Sequence, residues 1–298
     1  MKRISALATL LALLVCLYGC GAQKEYSQIA ATTLPVYEFT SRLCEGTGLT
    51  VTRLVTESVS CLHDYSLNVN QVRAAEAAQL IVISGAGLEE FMEDILSGKP
   101  TIDASVGIPL LEGGHEHSHD HDHEEESHEG HHHEEDPHIW LSPANAMVMA
   151  QNICAGLSAA YPEHSAVFDK NYTQLHSDLQ ALQAYAEAEL ADLSCRDMIT
   201  FHDGFAYLAK EFDLRILEAV EEESGSEASA AELIHLIEEV HHHELPAIFT
   251  EVLGSVSAAQ IISAETGAEV YTLDMAMHGD SYFEAMYHNI STIKGALG

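Results

Sequence analysis

The stretch Met198–Phe212, "MITFHDGFAYLAKEF", decides the fold. Met198-Ile199-Thr200-Phe201 is a short apolar and β-branched run of the kind that forms a buried strand. His202-Asp203-Gly204 interrupts it, and Phe205 to Phe212 continues as a helix. A strand that feeds a helix through a short polar turn is the unit of a parallel sheet covered by helices. The alternation continues downstream: strand Leu214–Ala219, helix Ala228–His243, strand Ala247–Thr250, helix Ser255–Thr266, strand Glu269–Leu273 and a helix from Ser281.

Upstream the same grammar recurs without a recognisable sequence repeat. Gln28–Leu34 reads as a strand, Pro35–Glu45 as a helix ending at Gly46, and Thr50–Val55 as a strand. Asn68–Ala78 is helical, Leu80–Ile83 is a buried-type strand closed by Ser84-Gly85, Leu88–Leu96 is helical, and Thr101–Ala104 is a weak strand. Between the halves lie a helix, Ala144–Ala160, and a long helical segment over 163–193. The latter keeps Val167, Tyr172, Leu175, Leu179, Leu182, Ala186, Leu190 and Leu193 at steps of mostly three and four. At 1.5 Å per residue it spans about 45 Å, longer than one small lobe.

The expected fold is therefore α/β with two lobes, each a mostly parallel sheet flanked by helices, joined by one long central helix, with any ligand site in the interlobe cleft. The expected division is a signal peptide (1–19), a lipid anchor and tether (20–27) and an N-terminal lobe (28–142) bearing a His/acid-rich loop (113–136). A helical connector (143–194) and a C-terminal lobe (195–298) complete it.

The 298 residues carry a formal charge of −35, from 12 Lys and Arg against 47 acids. That balance excludes nucleic acid and anionic surfaces as partners and suits a cationic ligand. Met1-Lys2-Arg3 and the apolar Ile4–Leu17 form an export signal too short to span a membrane comfortably. Leu17-Tyr18-Gly19-Cys20 has the form of a lipobox, so Cys20 is the expected acylation site. Cys44, Cys61, Cys154 and Cys195 then sit where disulfides are permitted. A Cys154–Cys195 bond is disfavoured, because antiparallel helices would hold the two apart by roughly 25 residues × 1.5 Å. A Cys44–Cys61 bond stays open.

Four ligand-type side chains recur in similar surroundings: His63 in "TESVSCLHDYSL", His138 in "DPHIWLSP", His202 in "ITFHDGFAYL" and Asp274 in "VYTLDMAM". Three of them lie just beyond expected strand ends, where open α/β sheets bind ligands. Three imidazoles and one carboxylate suit tetrahedral Zn²⁺. Asp203 and Glu251 also follow strands, and either could accept the second N–H of a ligand histidine. Asp203 has the equal alternative of capping the next helix. His241-His242-His243 suits an exposed helix C-terminus.

One stretch belongs to no core. Between His115 and Asp136, nine histidines (His115, His117, His119, His121, His123, His128, His131, His132 and His133) alternate with ten carboxylates. Removing those acids still leaves −25, from −35 + 10. Such a chain must give up conformational entropy for every chelate it makes, so it suits weak, interchangeable metal sites. The competing reading is a solvated acidic linker.

Together the four ligand motifs, the lipobox, the long helix and the His-rich loop resemble the metal-binding lipoproteins of bacterial ABC importers (cluster A-I, or cluster 9). The similarity is greatest to their zinc-specific, ZnuA-type branch. The resemblance covers the mature chain and implies His63, His138, His202 and Asp274 as ligands. "CLHDYSL" departs from it in lacking a proline before the histidine. Manganese-preferring relatives tend to carry Glu where His202 stands, and imidazole favours zinc. The implied function is extracytoplasmic capture of Zn²⁺ by a monomeric, membrane-anchored binding protein. It would deliver the ion to an ABC permease driven by a cytoplasmic ATPase, without catalysis. The alternatives are a manganese or iron carrier on the same scaffold, and a secreted zinc hydrolase. The hydrolase lacks an H-E-x-x-H helix or a similar base-bearing motif.

Overall fold

The computed structural model describes residues 27–57, 62, 65–113, 135–220 and 228–298. Among them, strands form two four-stranded sheets with the same spatial order, β2-β1-β3-β4 and β6-β5-β7-β8. The first holds β1 (Ile29–Ala31), β2 (Val51–Arg53), β3 (Leu80–Ile83) and β4 (Thr101–Asp103); the second holds β5 (Asp197–Thr200), β6 (Arg215–Ala219), β7 (Ala247–Glu251) and β8 (Glu269–Leu273). Every pairing within these sheets is parallel. The α/β two-lobe expectation is met.

The first lobe carries helices α1 (Leu34–Cys44), α2 (Val69–Ala77) and the single turn α3 (Glu93–Leu96). Next come α4 (Pro143–Ala160) and the long α5 (Ser165–Glu189), and the second lobe adds α6 (Ala206–Glu211), α7 (Ala230–His242), α8 (Ser257–Thr266) and α9 (Tyr282–Leu297). Local chemistry sets several boundaries. Asn68 with Gln71 and Ser229 with Glu232 form capping boxes that start α2 and α7. Ser142 accepts from the Asn145 N–H at 3.0 Å and opens α4 with Pro143 in its first turn.

Three expected boundaries move. The first strand stops at Ala31, because Pro35 fixes a helical φ in the first turn of α1. The Leu88–Leu96 helix shrinks to a 3₁₀ turn, Glu90–Met92, and α3. Gly85, Ala86 and Gly87, at φ of 86°, 54° and 81°, first reverse the chain. The spine begins after the 3₁₀ turn Pro162–His164 and ends at Glu189, which makes α5 about 37 Å long.

The spine is a packed helix. Phe168, Leu175, Leu179, Leu182 and Ala186 are buried along it, and one continuous core runs from Ile29, Phe39 and Leu43 through them to Leu208, Met275, Tyr282 and Ile290. Phe39 meets Tyr282 edge-on at 5.1 Å. Asn171 Nδ2 donates to the carbonyls of Leu43 and Glu45, both at 2.9 Å, and Arg42 pairs with Asp178. These contacts tie α1 to α5. Cys44, Cys154 and Cys195 are free thiols, and burial pushes the Cys44 thiol up to about 12; Cys61, the other half of the pairing left open, lies outside the described residues. Among the described residues no helix is long and apolar enough to cross a membrane.

The shared strand order places a topological switch point between β1 and β3 in one lobe and between β5 and β7 in the other, and such points are where open sheets bind ligands. In the first lobe the position is filled from within. Glu89, buried, accepts from Thr32 Oγ1 (2.6 Å), the Ser84 N–H (2.8 Å) and the Gly85 N–H (3.0 Å). Burial raises its carboxyl from 4.5 to about 7, against the pull of those donors. The folded state therefore holds a proton that the unfolded chain releases above pH 4.5, and stability falls as pH rises from 4.5 through about 7. Glu89→Gln is expected to remove up to about 3 kcal/mol of that fall. Urea unfolding of both proteins at pH 5 and pH 7.5 measures it, and parallel slopes would refute the assignment.

Candidate metal centre

In the second lobe the switch point is lined by ligand-type side chains. His202 leaves the end of β5, and Glu251 is the last residue of β7. His138 reaches the same place from the segment that enters α4. Asp136 N–H donates to the Leu111 carbonyl at 2.9 Å, Glu112 and Glu135 form an antiparallel bridge, and Tyr207 OH donates to the Asp136 carbonyl at 2.9 Å. The buried 3₁₀ turn Ile139–Leu141 then locks the exit.

The two imidazoles face each other. His138 Nε2 and His202 Nε2 lie 3.4 Å apart, with ring planes at 85°. Behind His138, Asp136 Oδ1 lies 2.8 Å from Nδ1 and also accepts the His138 backbone N–H at 2.8 Å. Behind His202, Glu251 Oε2 stands 3.8 Å from Nδ1. The Asp136 carboxylate on His138 Nδ1 holds the proton there and turns the His138 Nε2 lone pair toward His202. Asp136 and Glu251 are both more than 90% buried, so water screens these carboxylates little.

Asp274, at the end of β8, belongs to the adjoining segment. Its backbone is clamped by the buried Asn289 of α9: the Asp274 N–H donates to Asn289 Oδ1, and Asn289 Nδ2 donates to the Asp274 carbonyl, both at 2.7 Å. The next residue is bolted across the cleft, because Trp140 Nε1 donates to the Met275 carbonyl at 2.8 Å. Among the described residues no three His, Cys, Asp or Glu side chains are grouped to hold a metal ion. His138 and His202 are the expected ligands that they bring together. His63, the nine histidines from His115 to His133, Cys20 and Cys61 lie outside the described residues.

Asp203 lies two residues before Phe205, the N-cap of α6. His243 ends α7 as expected of a helix C-terminus, 3.4 Å from Glu239 and 3.7 Å from Asp197. Sequence reasoning missed Asp136, although its D-x-H spacing was a usable signal: a carboxylate two residues before a histidine can accept that residue's backbone N–H and reach its ring. It also left His278 unassigned; its Nδ1 lies 3.2 Å from Asp274 Oδ1.

Gly204 makes the approach of the two rings feasible. A methyl group there would lie 2.4 Å from Met275 Cε, 2.8 Å from His202 Cδ2 and 3.2 Å from His138 Cδ2. Gly204→Ala is expected to spread the imidazoles and cost about 1–3 kcal/mol. Metal titration should show binding weakened about tenfold or more, and unchanged binding would mean that the two rings need not meet.

A model of the family described as zinc-uptake complex component A, periplasmic, matches residues 29–296. The zinc-binding lipoprotein AdcA of Streptococcus pneumoniae serotype 4 is 34% identical over 311 residues, covering 99% of this chain and 61% of that protein. The chain thus spans less than two thirds of AdcA. A putative metal-binding protein of Treponema pallidum is 29% identical over 307 residues, covering 98% and 96% of the two chains. Among solved structures, ZnuA superposes with a TM-score of 0.76 at 26% identity, covering 91% of this chain and 100% of that one. The Zn(II)-bound ZnuA-like domain of Streptococcus pneumoniae AdcA gives 0.76 at 26% identity, covering 92% and 99%.

Proposed function

The chain belongs to the family of periplasmic zinc-uptake complex A components, and we propose that it captures Zn²⁺ outside the cytoplasmic membrane and delivers it to an ABC importer. The single observation that carries this reading is the 3.4 Å between His138 Nε2 and His202 Nε2, with a carboxylate behind each ring. Tetrahedral zinc with Zn–N of about 2.0–2.1 Å needs an N···N edge of about 3.3–3.4 Å. The pair already has that spacing.

His63 and Asp274 complete the proposed set of three imidazoles and one carboxylate. Asp136 and Glu251 orient His138 and His202; Asp203 is the remaining candidate for such a role. Zinc as cargo is supported by the Zn(II)-bound relatives, and imidazole at position 202 disfavours manganese. A protein carboxylate in the fourth position leaves no open site for a metal-bound water, so the protein binds and releases without making or breaking bonds. The partners are a permease and its cytoplasmic ATPase. Acylated Cys20 holds the monomer at the membrane, and the loop histidines collect zinc weakly beside the tight site.

The test is competitive titration of the full mature chain with Zn²⁺ and Mn²⁺. One tight, zinc-preferring site is expected, and it should persist when residues 114–134 are deleted. Loss of the tight phase in that deletion would overturn the separation of collector from site. Hydrolytic turnover by the zinc-loaded protein would overturn the binding-protein reading itself.

A further inference from the structure

We infer that Tyr207 is a positioning residue of the zinc site: its hydroxyl, inserted between the two strands that lead to His138, sets that imidazole against His202. The inference rests on both histidines being ligands, as proposed above. It goes beyond that reading by assigning the spacing of the pair to a side chain outside the ligands and the carboxylates behind them.

Strand register makes the insertion visible. Glu112 faces Glu135 in an antiparallel bridge, so Leu111 faces Asp136. Facing residues of a hydrogen-bonded antiparallel pair exchange two N–H···O bonds. Here one is direct, from the Asp136 N–H to the Leu111 carbonyl at 2.9 Å. The other runs through the phenol: the Leu111 N–H donates to the Tyr207 hydroxyl oxygen, and the Tyr207 O–H donates to the Asp136 carbonyl, both at 2.9 Å. A phenol can accept and donate at once, and Tyr207 uses both capacities on this pair. Tyr207 is buried, and burial pushes its hydroxyl up to about 12, so the donated proton stays in place near neutral pH.

Both ends of this relay reach the site. Asp136 Oδ1 accepts the His138 backbone N–H and lies 2.8 Å from the ring's Nδ1. Tyr207 lies in α6, the helix that the chain enters from β5 through the His202 turn. The same helix holds the segment beyond His138, where the Ala144 N–H lies 3.3 Å from each carboxylate oxygen of Glu211. His138 and His202 therefore share one support, and the 3.4 Å between their Nε2 atoms is set across it. Without the hydroxyl, the Leu111 N–H and the Asp136 carbonyl lose this partner. A buried polar group left unpaired is costly enough to draw the chain toward another partner, and the carboxylate behind His138 moves with that backbone.

The experiment compares the parent protein with Tyr207→Phe, Asn171→Ala and His138→Ala, all full mature chains checked for folding by circular dichroism. Tyr207→Phe keeps the ring in the core and removes only the oxygen. Asn171→Ala removes a donor to two backbone carbonyls between α1 and α5, and so reports what a purely structural loss does. Zn²⁺ affinity comes from competition with a chromogenic chelator. The tautomer of His138 in the zinc-free protein comes from its ring nitrogen-15 signals, assigned by their disappearance in His138→Ala. Tyr207→Phe is expected to lose about 10- to 100-fold in zinc affinity, and its His138 signals should move from the Nδ1–H tautomer toward a mixture. Asn171→Ala should lower Tm and keep the parent's affinity and signals. Parent-like affinity or an unchanged His138 tautomer in Tyr207→Phe, or an equal loss of affinity in Asn171→Ala, overturns the role of Tyr207 while the ligand set stands. Parent-like affinity in His138→Ala removes His138 from the ligands, and both readings fall.

Discussion

His138→Ala is expected to weaken zinc binding by at least about a hundredfold while leaving the apo-protein folded. Four-ligand zinc sites bind with apparent free energies of about 10–16 kcal/mol, so an average ligand contributes on the order of 3 kcal/mol. That corresponds to a factor of about 150 in Kd. His138 should reach the average, because Asp136 has fixed its tautomer and ring angle before any cation arrives. The buried 3₁₀ turn after it fixes the backbone that carries the ring. Asp136→Asn keeps the volume but weakens the acceptor behind Nδ1, and a smaller loss of about 10- to 100-fold follows. Competition against a chromogenic chelator measures both. Parent-like affinity in His138→Ala would place the tight site elsewhere in the molecule.

The second large effect concerns Trp140. Its indole is fully buried, its N–H holds the Met275 carbonyl at 2.8 Å, and its own carbonyl accepts Tyr282 OH at 2.9 Å. The ring also stands edge-on to His138 at 5.4 Å. Trp140→Ala should cost about 3–5 kcal/mol by opening a cavity, with a further penalty for the carbonyl left without its donor. For a chain of this size the expected drop in Tm is about 10 °C, measured by calorimetry with chelator present. Zinc affinity should fall as well, because the bolt ends on the residue next to Asp274. Trp140→Phe separates the two contributions: it fills most of the cavity and loses only the N–H. A Tm within about 2 °C of the parent for Trp140→Ala would refute the account.

Legibility in the sequence followed the range of the interactions. Strand β3 at Leu80–Ile83 and strand β8 at Glu269–Leu273 match the expectation residue for residue, because an apolar run between turn residues is a local signal. The helices expected from Asn68 and Ala228 begin within two residues of those positions, where the capping boxes of Asn68 and Ser229 set their starts. The shortened first strand and the contracted Leu88–Leu96 helix were misread where a proline or left-handed residues overrode propensity. At the site, "DPH" and "FHD" marked the ligand-type histidines. Sequence treated Asp203 and Glu251 as equals, and the 3.8 Å from Glu251 Oε2 to His202 Nδ1 is a distance that no local pattern could give.

Periodicity, turn residues and charge belong to neighbouring residues, so the chain by itself determined two α/β halves, a long intervening helix and a metal-suited inventory of imidazoles and carboxylates. Only the tertiary structure decided that both halves adopt the same strand order. It alone decided that Glu89 closes one switch point while His202 and Glu251 line the other, and that His138 meets His202 at 3.4 Å. The physical reason is that each of these depends on contacts between residues 5 to 135 positions apart, such as Ser84 with Glu89 or Trp140 with Met275. They form only when the shared core around α5 fixes the lobes against each other.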